Sequence, residues 1–395
     1  MKVLILHQHF NTPKKGGAIR SYYLAKALVE KGIQVTVLTG HNDKYKRENY
    51  EGIDIHYLSV PYDNRFGFGA RSSSFLKYIL AIIRKQKLIA DVDICYAIST
   101  PLTVGLAALW LKKTKGIKYI FEVGDLWPDA PIQLGFISNP VFKWFLYKVE
   151  SLIYKQSESV VALSTSIKAA VEKKVNRKQV HLIPNMADVD FYSPSVKNLQ
   201  LEEKFQVKDK FVVSYIGALG FANGLDYFLD CARASQKAAL PVHFILCGDG
   251  AMLENLKTSA KRLMLQNLTI VPFQTRDGVR DIMNVTDASF ICYKSVPVLE
   301  TGSPNKYFDG MAAGKLIVVN FAGWIKDEIE RHNFGVHVDP NHPTDFVKKI
   351  SFFINNSKQL AEWQINARQH AISNYSRQIL NDRFVSIFMN LPFIP

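Results

Sequence analysis

The sequence predicts an α/β protein built from two doubly wound halves. Three observations carry that reading. Short apolar runs alternate with amphipathic helical segments from the first residues onward. The runs are apolar throughout, as strands covered on both faces require. The whole rhythm occurs twice, on either side of a proline-marked segment near residue 190, in a chain of 395 residues that is ample for two domains.

The first half opens with the strand "KVLILH" and the loop "NTPKKGG". In the next segment, "AIRSYYLAKALVEKG", Ile19, Tyr22, Tyr23, Ala25, Ala27 and Leu28 share a helical face, and Gly32 closes the helix. "QVTVLTG", "DVDICYAIS", "KYIFEVGD" and "SVVALS" continue the strand series. "IPNMADVDFYSP" (183–194), with two prolines and several turn formers, is the expected hinge. The second half has the strands "KFVVSYIGAL", "VHFILCGDG", "LTIVPF", "ASFICYK" and "KLIVVNF", separated by helical runs such as "GLDYFLDCARASQ" and "MLENLKTSAKRL". The expected boundaries are a first domain over 1–188, a second over 189–372 and a helical tail over 373–395, free to return to the first domain. Ligands of open parallel sheets bind outside the C-terminal strand ends, and two such halves facing each other make a cleft.

Composition narrows the class. Apolar residues make up 48% and charged residues 21%, values of a folded soluble protein. The apolar run before His7 is a buried strand rather than a secretory segment, and no stretch approaches the ~18 apolar residues of a membrane helix. Cys95, Cys231, Cys247 and Cys292 are scattered, which fits a reduced, cytoplasmic protein without structural zinc. The net charge of +14 is uneven: residues 1–190 hold 27 Lys and Arg against 16 Asp and Glu. An anionic partner for the first half follows, whether nucleic acid, membrane surface or phosphorylated substrate.

The loops after the strands hold the candidate chemistry. In "KKGGAIRSY", Gly16 and Gly17 permit close backbone approach at a helix N-terminus, and Arg20 lies one turn on, within reach of a phosphate. In "EVGDLWPDAPIQLG", Asp125 stands just past a strand end, beside Trp127, whose flat apolar face suits sugar or lipid. Gly217, Gly220 and Gly224 in "YIGALGFANGLD" allow a diphosphate to approach backbone amides, and that loop contains no Lys or Arg. Gly248 and Gly250 flank Asp249 in "CGDGAMLENL", a layout for backbone contacts to a nucleoside. Phe273, at the end of "LTIVPF", joins the substrate-binding set.

The richest stretch is "ETGSPNKYFDGMAAGK" (300–315). Ser303 is expected at the helix cap, with Pro304 in the first turn. Lys306 can neutralise phosphate, and Asp309, three residues on, can accept two hydrogen bonds from a vicinal diol. A Lys–Asp surface pair alone would be worth only about 0.3–0.5 kcal/mol and would leave Glu300 unexplained. The "DVD" strings at 91–93 and 188–190 are poorly placed for a metal, and His and Cys show no ligand spacing, so no metal is expected.

With these residues in order, the chain resembles glycosyltransferase family 4 of the GT-B fold, two Rossmann-like domains, over nearly its whole length. "GGAIRSYYLAKAL", "DLWPDAPIQLG", "IPNMADVD", "GLDYFLDCA", "FILCGDG", "SPNKYFDGMAAGK" and "GVHVDP" carry the likeness. "DLWP" and "SPNKYFD" look most like bacterial members that build surface polysaccharides, N-acetyl-fucosaminyl and related aminosugar transferases among them. The resemblance implies a retaining, metal-independent transfer from a nucleoside-diphosphate sugar, UDP expected, with no cofactor. The acceptor would be a glycan, lipid-diphosphate-linked, met at the cytoplasmic face of the inner membrane. By similarity Lys306 pairs with the diphosphate and Asp309 with the ribose. Glu300, Thr301, Gly302 and Ser303 border the donor sugar, Asp125 lies near the reacting centre, and Gly16, Gly17 and Arg20 border phosphates or acceptor. The family's paired glutamates are replaced here: Thr301 and Asp309 stand in those positions, with Glu300 one residue earlier.

Two stretches of the first half, "FLKYILAIIRKQKLI" (75–89) and "FKWFLYKVESLIYK" (142–155), join apolar residues to lysine and arginine as an anionic bilayer surface would favour. The rival readings are a nucleotide-sugar 2-epimerase of the same fold, a non-catalytic sugar-nucleotide binder, and a nucleic-acid-binding protein. The last lacks a recognised motif, and the acids of 300–309 would oppose it.

Overall fold

The computed structural model describes residues 1–14, 19–63, 65–89, 91–175 and 179–390. The chain divides into two compact units, Met1–Pro184 with Thr301–Ser303 and Leu380–Pro395, and Asn185–Glu300 with Pro304–Ile379.

In the first unit the described residues form an eight-stranded sheet. Its strands are β1 (Lys2–Leu6), β2 (Gln34–His41), β3 (Lys46–Tyr50), β4 (Ile53–Ser59), β5 (Ile94–Ile98), β6 (Lys118–Val123), β7 (Val160–Ala162) and β8 (Val180–Leu182). Their order is β3-β4-β2-β1-β5-β6-β7-β8. Leu4 of β1 lies opposite Thr36 on one side and Cys95 on the other, both in parallel register. The direction of winding reverses at β1 and β5, the place where an open parallel sheet leaves a crevice.

The hairpin of β3 and β4 was not among the sequence-predicted strands. It pairs antiparallel, its turn formed by Glu51 and Gly52 at positive φ. β3 is polar along its length and so gives no apolar run to read, which suits an edge strand. The last helix, Arg377–Met389, packs Phe384 and Phe388 edge-on against the buried Tyr96 of β5, at 4.9 and 5.9 Å between ring centroids.

In the second unit the described residues form a six-stranded parallel sheet. It consists of β9 (Phe211–Ile216), β10 (Val242–Cys247), β11 (Leu268–Val271), β12 (Ala288–Ile291), β13 (Leu316–Val319) and β14 (Gly335–His337), in the order β11-β10-β9-β12-β13-β14. Here winding reverses between β9 and β12. Phe228, Phe244, Phe290 and Phe346 pack together in the buried core with centroids 5.2–5.8 Å apart, anchoring the helix Asp226–Lys237. The rigid sheet therefore fixes where the loops after β9 and β12 emerge. Among the described residues no helix is long and apolar enough to cross a membrane.

Candidate active site

The second unit builds its site from two glycine turns. Gly217, directly after β9, has φ +148°, and Gly248, directly after β10, has φ +150°. A Cβ on Gly248 would lie 1.8 Å from the Gly217 carbonyl oxygen, so no side chain fits between the two loops. Hydrogen bonds step the loops together: Gly217 N–H donates to Cys247 O (2.9 Å), Leu219 N–H to Asp249 O (2.9 Å) and Gly248 N–H to Val271 O (3.1 Å). Gly250 N–H donates to the Asp249 carboxylate (2.8 Å). Phe273 follows β11 at the sheet edge with its ring largely exposed.

Lys306 faces the Gly217 turn. A Cβ on Gly217 would lie 3.2 Å from Lys306 Cε. The ammonium donates to Tyr215 Oη (2.8 Å) and sits 4.1 Å from the centre of that ring. Burial lowers the Lys306 pKa to about 8, Cys292 opposing the shift. Tyr215, two residues before Gly217, donates its own hydroxyl hydrogen bond to Ala218 O (2.8 Å) and so braces the turn.

Lys306 and Asp309 share the helix Asn305–Ala312. The expected cap is corrected: the helix starts one residue later, Pro304 is the N-cap, and no side chain caps it. Asp309 is half-buried, and no hydrogen bond to its carboxylate is made among the described residues. Burial raises its pKa to about 7, with Arg276 opposing and Asp188 adding to the rise. A carboxylate so placed is free to accept donors from a ligand.

Tyr307, between these two residues, points the other way, into a buried knot around Glu328. Tyr307 and Tyr375 hydroxyls and the His370 ring all bond the Glu328 carboxylate, the last two at 2.5 and 3.1 Å. Burial works to raise the Glu328 pKa, and the His370, Tyr307 and Tyr375 hydrogen bonds outweigh it and hold it low.

The glycine-rich loop 217–224 contains no cation, yet one comes to it from elsewhere. Lys294, after β12, lies 3.0 Å from the centre of the Phe221 ring, and its N–H donates to Ala222 O (2.9 Å). Burial lowers its pKa, Asp226 opposing. Sequence reasoning missed Lys294 because contact across two strand ends leaves no spacing signal. Tyr215 was legible in principle, since period-two alternation puts it on the face of Gly217.

Glu300 lies half-buried in the short 3₁₀ segment Pro297–Thr301, its carbonyl against Gly323. Thr301, Gly302 and Ser303 group with the first unit, where Ser164 Oγ donates to Thr301 O (2.5 Å).

In the first unit Asp125 follows β6 by two residues, exposed, and accepts from Thr100 Oγ1 (3.1 Å). The surrounding protein raises its pKa by desolvation, and the Thr100 bond opposes this. Trp127 is half-buried and meets Phe75 edge-on (6.4 Å), Phe75 stacks with Tyr62 (6.2 Å), and Tyr62 meets His9 (4.3 Å). Burial lowers the pKa of His7 to about 3 and of His9 to about 4, so both imidazoles are neutral at physiological pH. These histidines were not among the sequence candidates.

Arg20 has a different place from the one expected. Its guanidinium is buried and donates to Glu122 (2.6 Å), Ile183 O (2.7 Å) and Pro184 O (3.2 Å), so its donors are engaged within the protein. Burial disfavours its charge, and Glu122 more than compensates. Gly16 and Gly17 lie outside the described residues.

Of the "DVD" strings, Asp93 accepts from the Lys2 amide (2.6 Å). Asp188 pairs with Arg276 (2.5 Å) and Arg377 (3.5 Å), and Asp190 pairs with Arg377. Among the described residues no group of three or more His, Cys, Asp and Glu is placed to hold a metal.

Comparison with known proteins bears on the same elements. Residues 15–191 match the family model Glycosyltransferase Family 4, and residues 197–370 match Glycosyl transferases group 1. The chain is 17% identical to an alpha-D-kanosaminyltransferase of Streptomyces kanamyceticus, an alignment spanning 65% of each chain. It is 21% identical to the Escherichia coli UDP-Gal:alpha-D-GlcNAc-diphosphoundecaprenol alpha-1,3-galactosyltransferase, over 64% of each. Among solved structures, a sucrose-phosphate synthase from Thermosynechococcus elongatus superposes with TM-score 0.80 at 13% identity, over 99% of this chain and 98% of that one. HepE from Anabaena, in complex with UDP-glucose, gives 0.70 at 16% identity, over 99% and 100%. At these identities the structural likeness shows the fold, which is GT-B.

Proposed function

Because the chain belongs to the glycosyltransferases, family 4 in its first half and group 1 in its second, we propose that it is a retaining, metal-independent enzyme. It moves a sugar from a nucleoside diphosphate, UDP by preference, to a lipid-diphosphate-linked glycan in bacterial surface-polysaccharide synthesis. It works at the cytoplasmic face of the inner membrane. The observation that carries the donor reading is the helix Asn305–Ala312, which sets the Lys306 cation beside the glycine turn after β9 and carries, three residues on, the Asp309 carboxylate. HepE, a structural neighbour, was solved with UDP-glucose, and the E. coli relative is named for a diphosphoundecaprenol acceptor.

In this mechanism Lys306 and Lys294 balance the charge of the diphosphate as the anomeric carbon–oxygen bond breaks. Asp309 holds the ribose diol, and the turns at Gly217, Gly248 and Gly250 bring backbone against the nucleotide. The Glu300–Ser303 segment borders the sugar. The acceptor oxygen attacks the same face the diphosphate leaves, and its proton passes to a leaving phosphate oxygen, so no separate base is needed. Asp125 and Trp127 steady the acceptor hydroxyl and the sugar ring.

Thermal stabilisation across a panel of nucleotide sugars tests the reading. UDP sugars are expected to raise the melting temperature, and donor without acceptor is expected to give no epimer. Epimer formation from donor alone would make the chain an epimerase.

A further inference from the structure

The helix Pro140–Gln156 exposes Val141, Phe142, Trp144 and Phe145 by 72, 46, 62 and 52% of their surface, with Phe136 just ahead of it 48% exposed. Side chains of this size and number are normally buried, and a cluster of them on one helix marks an interaction surface. Phe142 and Phe145 stack (6.4 Å), and the Lys148 ammonium lies 5.6 Å from the Trp144 ring. The helix charges are one-sided. Lys143, Lys148 and Lys155 point outward or half outward, while its one acid, Glu150, is buried and bound by Lys174 (2.8 Å).

We propose that this face of the helix inserts among the headgroups of an anionic bilayer, aromatics in the acyl boundary and lysines on the lipid phosphates. Both halves of that description match what an interfacial helix needs: an apolar aromatic stripe and flanking cations. A second copy of the chain fits worse, since a two-fold contact on this face would bring its lysines against their own counterparts. The other basic stretch fits less well too: the helix Phe68–Arg84 exposes Leu76 and Leu80 as its large apolar side chains.

The face is also tied to the reacting loop. The short helix Asp129–Gln133 begins four residues past Asp125, and the Asp129 carboxylate accepts from Tyr147 Oη (2.8 Å) on the exposed helix. Lys174 bridges Asp129 (3.4 Å) and Glu150. A bilayer held by the aromatic face would thus keep a fixed relation to Asp125. The inference rests on the lipid-linked acceptor reading, and it names the surface through which that acceptor is met.

The test is co-sedimentation of the full chain with phosphatidylcholine vesicles, with and without phosphatidylglycerol. The wild type is expected to bind only the anionic vesicles. The triple variant Phe142→Ser/Trp144→Ser/Phe145→Ser is expected to bind at least about tenfold more weakly. Each of Lys143→Gln and Lys148→Gln is expected to cost about fivefold. Leu76→Ser/Leu80→Ser is expected to bind as the wild type does. A triple variant that binds undiminished, a wild type that ignores anionic lipid, or a wild-type dimer that the triple variant dissociates would each overturn the proposal. UDP-sugar stabilisation of the same preparations reports on the donor site alone, so the two readings can fail separately.

Discussion

Lys306 and Asp309 titrate close together. Burial brings the lysine down to about 8 and the aspartate up to about 7. On the proposed function, donor binding needs the carboxylate ionised, which holds above about 7, and the ammonium charged, which holds below about 8. The pH profile of kcat/KM for the donor is therefore expected to peak in that narrow window and fall on both sides. Asp309→Asn should abolish the acid limb and lower kcat/KM by roughly ten- to a hundredfold, the worth of hydrogen bonds to a charged acceptor. An acid limb that persists unchanged in Asp309→Asn would assign it to another group. At this scale sequence was informative about residue type and weak about partner. The pairing of Lys306 with Tyr215 and of Lys294 with Phe221 joins residues far apart in the chain. Arg20 looked like a phosphate ligand because its neighbours are glycines, whereas Glu122 claims it from a separate strand.

The helix Asn305–Ala312 is oriented by what lies behind it. One side carries Lys306 and Asp309, and Tyr307 reaches back to Glu328, which Tyr375 and His370 also bond. Glu328→Gln keeps the shape but removes the charge that three donors share. A stability loss of about 1–3 kcal/mol is expected, with a rise in donor KM larger than any fall in kcat, because the clamp is displaced rather than removed. Full donor affinity in a variant with that stability loss would show that Glu328 serves folding alone. The glycine turns behave differently. Gly248→Ala forces a Cβ to 1.8 Å from a backbone oxygen, so a lowered melting temperature is expected whatever the ligand. The buried strands were legible from their apolar runs. β3 and the true cap of the helix Asn305–Ala312 were not, since a polar edge strand and a one-residue shift in capping leave the apolar pattern unchanged.

At the scale of the whole molecule the two-part organisation was readable from the repeated rhythm of strands and helices. The units divide between Pro184 and Asn185, inside the proline-marked segment. The charge asymmetry was readable as well, though its location was not. Only the exposures along Pro140–Gln156 distinguish a solvated aromatic face from a helix that covers the sheet. On the proposed function, the second unit would take the donor nucleotide and the first the lipid-borne acceptor.

The central claim is that Lys306 and its glycine turn hold a nucleoside diphosphate. Calorimetric titration of UDP into the wild-type chain and into Lys306→Ala tests it most directly. Saturable one-to-one binding to the wild type is predicted, weakened at least about tenfold in Lys306→Ala by loss of a charge-assisted contact. UDP binding of equal strength to both chains, or none to the wild type, would contradict it.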